Sequence, residues 1–444
     1  MEFKDRKKEI KEINEILNSN KFELLILYGR RRIGKTELVL HTTKNKKRIY
    51  YLAVGERNLD RFYDVCVEQF PDVASLKKDY EVLFNYLKDK TDVVVIDEFQ
   101  NLIKEDKNIL HILQSLVDTK LNSSKLKLIF LGSSVSIINS KVLNYQSPLY
   151  GRRTGTIKLK AISFFDLQEF FPEFSMEELV EIYGFADGIP YYLVKIDKSL
   201  WKWLEGEIKQ DKSFLRDEVE FLMKYEFVDP STYKLILEAI ANGKTKINEI
   251  KDFVRLPRTD ISSYLKNLIE VELVKREVPI TENIKSRNGR YYLNDNFLKF
   301  WFRFIYPNAS SIETGIFDIS LIKKEYATYL GRLFEDVAKQ YLIRNPPVKF
   351  TKIGRWWYKD TKIDLIAFDD KTKEVLFAEC KWQNNVDAEK IVKELRKKID
   401  IVEWKNGTRE EKYAVFAKSF KNKIKEFQGN KVFCFDLDDI RNNN

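Results

Sequence analysis

Two groups of residues in this chain have the types and spacing for phosphate chemistry. The first is Gly29-Arg30-Arg31-Arg32-Ile33-Gly34-Lys35-Thr36, a G-x-x-x-x-G-K-T run that opens into Glu37 and Leu38. Its glycines permit backbone angles that turn successive N–H groups into a concavity for phosphate oxygens. Lys35 is spaced to reach the β- and γ-phosphates of a nucleoside triphosphate, and Thr36 to ligate Mg2+. A helix starting at Lys35 adds its partial positive end to the same place. Downstream, Asp97 and Glu98 close the apolar run Val93-Val94-Val95-Ile96. Asp97 is expected to hold Mg2+ through water or through Thr36, and Glu98 to polarise the attacking water. The second group is Glu335, Asp364, Glu379 and Lys381. On a strand of period two, Glu379 and Lys381 share one face while Cys380 takes the other. With Asp364 on a paired strand, two carboxylates and a lysine converge. Asp364 and Glu379 could hold Mg2+ or Mn2+, and Lys381 would orient and help deprotonate a water that attacks phosphorus. A charged trio beside Leu376, Phe377 and Ala378 is costly unless a metal or mutual pairing compensates it. A metal site and a salt-bridged pocket therefore both stay open.

These residues need elements to place them. The apolar runs at 24–27, 48–53, 91–98 and 126–131 read as strands, with another at 156–160. Continuous β-branched and aliphatic runs suit a parallel sheet buried on both faces. Helical spacing leads in over 5–19 and recurs near 59–70, 75–88 and 106–120. Ser133 and Ser134 follow the fourth run, either to touch the γ-phosphate or to cap the helix over 134–139. Arg152 and Arg153 sit in a turn before the fifth strand, either reaching a γ-phosphate or lying on plain surface. Residues 163–228 read as mostly helical, with Phe164, Phe165, Leu167, Phe170, Tyr191, Tyr192, Leu193 and Trp201 as interior candidates. Over 229–293 three helices precede two strands joined by the basic turn Lys285-Ser286-Arg287-Asn288-Gly289, the pattern of a winged helix-turn-helix. Its third helix would offer Arg258, Ser262, Ser263, Tyr264 and Lys266 to a DNA groove. Such a module equally serves as a protein–protein spacer. An aromatic connector over 294–325 is expected to bury Phe297, Phe300, Trp301 and Phe304.

The set YGRRRIGKT, VVVIDEFQ, FLGSSVS, PLYGRRT and DGIPYYL resembles the archaeal ATPase family, a STAND/AAA-like group of P-loop NTPases. The signature Phe3-x-Asp5-Arg6-x-x-Glu9 agrees with it. The resemblance covers residues 1–225. It implies that Asp97 and Glu98 are Walker B residues, that Ser133 or Ser134 is a sensor, and that Pro190 begins a lid helix by the nucleotide. It also implies that Arg152 or Arg153 is an arginine finger, acting in its own subunit or in a neighbour within a homo-oligomer. The spacing of Glu335, Asp364, Glu379 and Lys381 resembles the PD-(D/E)XK nuclease-like fold, as in the domain of unknown function often fused to archaeal ATPases.

Length and composition frame these readings. At 444 residues the chain exceeds one core. The expected division is a P-loop core at 1–162, a helical lid at 163–228, a winged helix at 229–293, the connector at 294–325 and a nuclease-like α/β domain at 326–444. Apolar residues make up 44%, which excludes wholesale disorder. Two histidines leave little room for histidine catalysis. Three distant cysteines and a charged N-terminus point to a reducing cytoplasm, and no run is long enough to span a membrane. The net charge of +10 fits a nucleic-acid or nucleotide partner and lysine-rich solvated faces equally. The resulting expectation is an ATP-binding, ATP-hydrolysing protein that acts on DNA and carries a Mg2+-dependent nuclease domain. The alternative is an ATP-dependent switch whose nuclease fold is inactive.

Overall fold

The computed structural model describes residues 3–210, 212–255 and 258–442. The side chains of Arg258, Thr259 and Asp260 lie outside the described residues, and so does Pro257. The groove contact expected of Arg258 therefore has no structural counterpart here. The chain divides into two compact units. One comprises residues 1–162 with 189–191 and 270–272, and the other comprises the remainder.

The first unit is built on five parallel strands: β1 (Glu23–Tyr28), β2 (Arg48–Leu52), β3 (Val93–Asp97), β4 (Lys127–Gly132) and β5 (Gly155–Lys158). Their order is β2-β3-β4-β1-β5. Every residue of β1, β3 and β4 is buried, as their unbroken apolar runs require. Helices α1 (Lys7–Leu17) and α2 (Lys35–Thr42) pack on one face with Leu25, Leu27, Val93, Val95, Ile129 and Leu131. On the other face Leu24, Ile26, Val94, Ile96, Leu128 and Phe130 meet Phe62, Phe84, Leu113 and Leu116. The helix expected over 106–120 is shorter, Ile109–Leu116 with a π turn at Val117–Leu121, and a separate helix spans Gln100–Glu105.

In the second unit the aromatic connector is helical and buried, with Phe297, Phe300, Trp301 and Phe304 at most 4% exposed. Phe297 stacks on Tyr192 and meets Phe185 edge-on. Three helices (Ser231–Ala241, Ile247–Val254 and Arg258–Glu270) precede a two-stranded antiparallel ribbon of β6 (Val274–Glu277) and β7 (Arg290–Leu293). The long helix Ser320–Arg344 then leads into a six-stranded mixed sheet. Its first three strands are β8 (Lys352–Tyr358), β9 (Thr361–Phe368) and β10 (Glu374–Lys381), paired antiparallel in sequence order with β8 at the sheet's edge. A short β11 (Val386–Asp387) and the helix Ala388–Ile399 precede β12 (Glu410–Ala417), which pairs parallel with β10. Next come β13 (Phe420–Asn422), β14 (Glu426–Phe427) and β15 (Asn430–Phe435); β15 pairs parallel with β12, and β14 closes the sheet. Among the described residues, no helix is long and apolar enough to cross a membrane.

Candidate functional site

The run Gly29–Thr36 leaves the carboxyl end of β1 and enters α2, whose N-cap is Gly34 at φ +88. Gly29 must be glycine for a steric reason: a Cβ there would sit 2.4 Å from the Leu159 carbonyl oxygen. Lys35 is buried and folded back, its Nζ donating to the carbonyls of Gly29 at 2.9 Å and Arg30 at 2.8 Å. Arg32, at φ +69, accepts the Tyr191 N–H through its carbonyl and lays its guanidinium over the Tyr191 ring. Pro190 packs against Gly34, 3.8 Å from where a Cβ would be. Ile33 is buried and Glu37 is exposed on α2. Arg6, from the N-terminal signature, is also buried and donates to the carbonyls of Ile33 at 3.1 Å and Lys160 at 2.7 Å. It ties the loop to the strand beside it.

The ends of β3 and β4 complete the site, because parallel strands deliver their carboxyl termini to one edge. Thr36 Oγ1 donates to Asp97 Oδ2 at 2.6 Å, and the Tyr50 hydroxyl donates to the same oxygen at 2.8 Å. Burial first, and the Asp97 charge second, push the Tyr50 phenol well above its ordinary range, so it stays a donor. Glu98, at φ +52, accepts from Ser133 Oγ and Gln100 Nε2, and Gln100 Nε2 lies 3.1 Å from Ser133 Oγ. The hydroxyl and carboxylate of Thr36 and Asp97 are hard oxygen donors side by side, a set that fits Mg2+ held together with substrate phosphates. Ser134 is buried but makes no cap hydrogen bond through its side chain.

The two arginines are engaged elsewhere. Arg152 forms a two-pronged pair with Asp118 at 2.8 and 2.7 Å and donates to the Pro148 carbonyl. Arg153 donates to the Leu143 carbonyl and lies over the Tyr150 ring. Tyr191, expected inside, is 37% exposed, because it serves as the platform for Arg32.

In the second unit, Asp364 on β9 and Glu379 and Lys381 on β10 face one another across the antiparallel pair. Glu335 reaches them from the helix Ser320–Arg344. Asp364, Glu379 and Glu335 are 3–5% exposed. Asp364 Oδ2 accepts the Cys380 N–H at 3.0 Å. Lys381 Nζ donates to Glu379 Oε2 at 2.7 Å and lies 4.0 Å from Asp364. Lys398, from the helix Ala388–Ile399, donates to the other Glu379 oxygen at 2.7 Å. Lys362 lies 3.4 Å from Asp364 and 3.9 Å from Glu335. Arg355 Nε donates to Glu335 at 2.6 Å. Glu335, Lys362, Asp364, Lys381 and Arg332 line a cavity of about 520 Å3.

Burial raises Asp364, but Lys362 and Lys381 outweigh it and hold its carboxyl below the ordinary value. Burial raises Glu335, and Arg355 offsets only part of that. Burial alone would lower Lys381, yet Glu379 and Asp364 raise it. The Glu379 and Asp364 carboxylates thus favour the ammonium form of Lys381. Among the described residues, no three His, Cys, Asp or Glu side chains are grouped to hold a metal. Asp364 and Glu379 alone still fit Mg2+ or Mn2+, since such ions are commonly held by one or two carboxylates plus substrate phosphates.

Tyr50, Gln100, Lys362, Lys398 and Arg355 join the two sites without having been singled out in the sequence. Only Arg6 had a signal, its place in the N-terminal signature.

A family model described as an ATPase domain predominantly from Archaea matches residues 3–196. A second, described as archaeal and bacterial proteins of unknown function, matches residues 301–391. The uncharacterized protein MJECL04 of Methanocaldococcus jannaschii is 51% identical over 445 residues, spanning 99% of this chain and 100% of its own. The uncharacterized ATP-binding protein MJ0423 of the same organism is 49% identical over 45 residues, 10% of this chain and 76% of that protein. Among solved structures, the Walker-type ATPase paby2304 of Pyrococcus abyssi matches with a TM-score of 0.52 at 22% identity, covering 68% of this chain and 96% of that one. That likeness is one of fold, a P-loop NTPase sheet. The chain belongs to the archaeal family, shared with MJECL04 along its whole length, that joins this ATPase domain to a C-terminal domain of unknown function.

Proposed function

We propose that this chain binds and hydrolyses ATP at Gly29–Thr36 and uses that cycle to act on DNA. The observation that carries this is the meeting of Lys35, the Thr36–Asp97 pair and the Glu98–Ser133–Gln100 group at the carboxyl ends of β1, β4 and β3. Backbone N–H groups of the loop cradle the phosphates, and Lys35 leaves the Gly29 and Arg30 carbonyls to meet the β- and γ-oxygens. Glu98 orients the lytic water and accepts its proton, while Ser133 and Gln100 fix the carboxylate's rotation. Mg2+, held by Thr36 and Asp97, would supply charge neutralisation on the phosphates. Pro190 and Tyr191 lie beside the loop where a lid would begin. Arg152 or Arg153 would serve as finger in an oligomer only after its pairing with Asp118 or Leu143 is exchanged. The helices over 231–270 with the ribbon β6–β7 would act as a winged helix, contacting duplex DNA.

In the C-terminal part, Asp364, Glu379, Lys381 and Glu335 form a nuclease-like site of the PD-(D/E)XK type. Asp364 and Glu379 would hold Mg2+ or Mn2+, which supplies Lewis acidity toward a phosphodiester. Lys381 orients the anion and Glu335 borders the cavity. A second reading, an ATP-dependent switch with a non-cutting C-terminal fold, is favoured by the pairing of these carboxylates with Lys362, Lys381, Lys398 and Arg355. The deciding experiment follows cleavage of linear, circular and branched DNA with Mg2+ or Mn2+, with and without ATP. The first reading expects ATP turnover lost in Lys35→Ala and Mn2+-dependent cutting lost in Glu379→Ala. ATP turnover with no DNA binding and no cutting would leave the switch.

A further inference from the structure

The ribbon β6–β7 does not stand free of the C-terminal sheet. Its turn, residues 278–289, lies along β8, the sheet's edge strand: the Ile280 N–H donates to the Arg355 carbonyl at 2.9 Å. The Ile280 side chain packs with the C-terminal core, and Gly354 makes room for it, since a Cβ there would be 3.0 Å from Ile280 Cδ1. Trp357 Nε1 donates to the Asn288 carbonyl at 3.0 Å, and Arg290 lies over the Trp357 ring.

A chain of alternating charge runs from this contact to the cavity. Glu277 of β6 receives Arg355 Nη1 at 3.3 Å on both oxygens. The same guanidinium holds Asp336 at 2.9 Å and Glu335 at 2.6 Å. Glu335 neighbours Lys362, which neighbours Asp364. Arg355 is 9% exposed, so this fan of bonds is largely shielded from screening by solvent.

We propose that Glu277 is a positioning residue for the C-terminal cavity: through Arg355 it fixes the carboxylate of Glu335, so that ribbon and cavity respond as one body. The inference rests on the reading of the cavity as a hard-metal site only for its metal-binding arm.

The test uses the full chain with Glu277→Gln and Ile280→Ser, the first conservative and the second releasing the turn without altering β8. Amide hydrogen exchange is followed at residues 278–289, 332–336 and 362–364, and Mn2+ alone is titrated. Losing a hydrogen bond to a charged group should speed exchange at 332–336 and 362–364 by about tenfold or more, together with the ribbon. Mn2+ affinity should fall about tenfold in Glu277→Gln, because Glu335 steers Lys362, the partner of the ligand Asp364. Faster exchange confined to 278–289 in both variants would overturn the coupling. So would unchanged Mn2+ affinity where Glu379→Gln abolishes it. If wild-type protein binds no Mn2+, or Glu379→Gln leaves its binding intact, the metal reading falls and the exchange pattern alone decides the coupling.

Discussion

Arg355→Ala removes a cation hydrogen-bonded to three carboxylates, and its effect can be worked out from the bonds it breaks. Arg355 bonds Glu335 at 2.6 Å, Asp336 at 2.9 Å and Glu277 at 3.3 Å. Breaking a buried charge pair by deleting one partner costs about 3–5 kcal/mol, because the other charge stays buried without compensation. For a unit of this size that corresponds to a melting temperature lower by roughly 6–20 °C. The pH dependence carries the sharper test. Burial raises Asp336, but Arg355 together with Lys275, Lys299 and Arg332 outweighs it and holds the carboxyl well below its ordinary value. A depressed folded-state value gives stability that is present at neutral pH and is lost as pH falls through the acid range. Without Arg355, burial at Asp336 is opposed only by Lys275, Lys299 and Arg332, and Glu335 loses the cation that offset part of its upward shift, so both carboxyls titrate higher in the variant than in the wild type. The deficit of the variant relative to wild type should therefore be largest near pH 7 and shrink steadily toward pH 4. Urea unfolding followed by circular dichroism at several pH values measures it. A deficit below about 1 kcal/mol, the range of exposed pairs, or one that does not change between pH 7 and 4, would refute the account of Arg355 as the hub of a buried network.

Four further outcomes are expected. Glu98→Gln should keep nucleotide binding while slowing ATP turnover about 10²–10⁴-fold, read by equilibrium binding and phosphate release on the same preparation. Gly29→Ala forces a Cβ against the Leu159 carbonyl, and should destabilise the first unit by about 1–3 kcal/mol and weaken nucleotide binding, as seen by thermal unfolding with and without ATP. Arg152→Ala breaks a surface pair with Asp118, so unfolding should barely change; a loss of turnover that wild-type protein mixed in does not restore would place the arginine in its own subunit. Chelation with EDTA should stop ATP turnover, and added Mg2+ should restore it, since Thr36 and Asp97 alone offer too few ligands to retain the ion.

What was legible in the sequence was what is local or periodic. The strands of the first unit show as unbroken apolar runs because both of their faces are covered. The loop between β1 and α2 shows because glycine is demanded at Gly29 and Gly34. The facing of Asp364, Glu379 and Lys381 follows from strand period and a short turn. What stayed hidden was the choice of partner. With 78 Lys and Arg against 68 Asp and Glu, any acid has many cations that could pair with it, and only folding selects Asp118 for Arg152 or Glu277 for Arg355. Tyr50 was invisible for a related reason. It sits mid-strand in an aromatic pair with Tyr51, and only the parallel pairing of β2 with β3 carries one hydroxyl to Asp97 while the other goes to Asn58. Lys398 lies on a lysine-rich helix, where the one lysine that pairs with Glu379 looks like its solvated neighbours.

The folded-back Lys35 has one more implication, for which ligands the loop admits. Its ammonium already holds two carbonyls of its own loop, so an incoming anion competes with bonds that exist rather than filling a void. A single phosphate group offers the lysine little more than it gives up. A triphosphate engages the lysine, the loop N–H groups and the Thr36 hydroxyl together, and the exchange then runs downhill. The lysine's bonds to its own loop thus set a competition that an anion touching the lysine alone wins less easily than one that also reaches the loop N–H groups and the Thr36 hydroxyl.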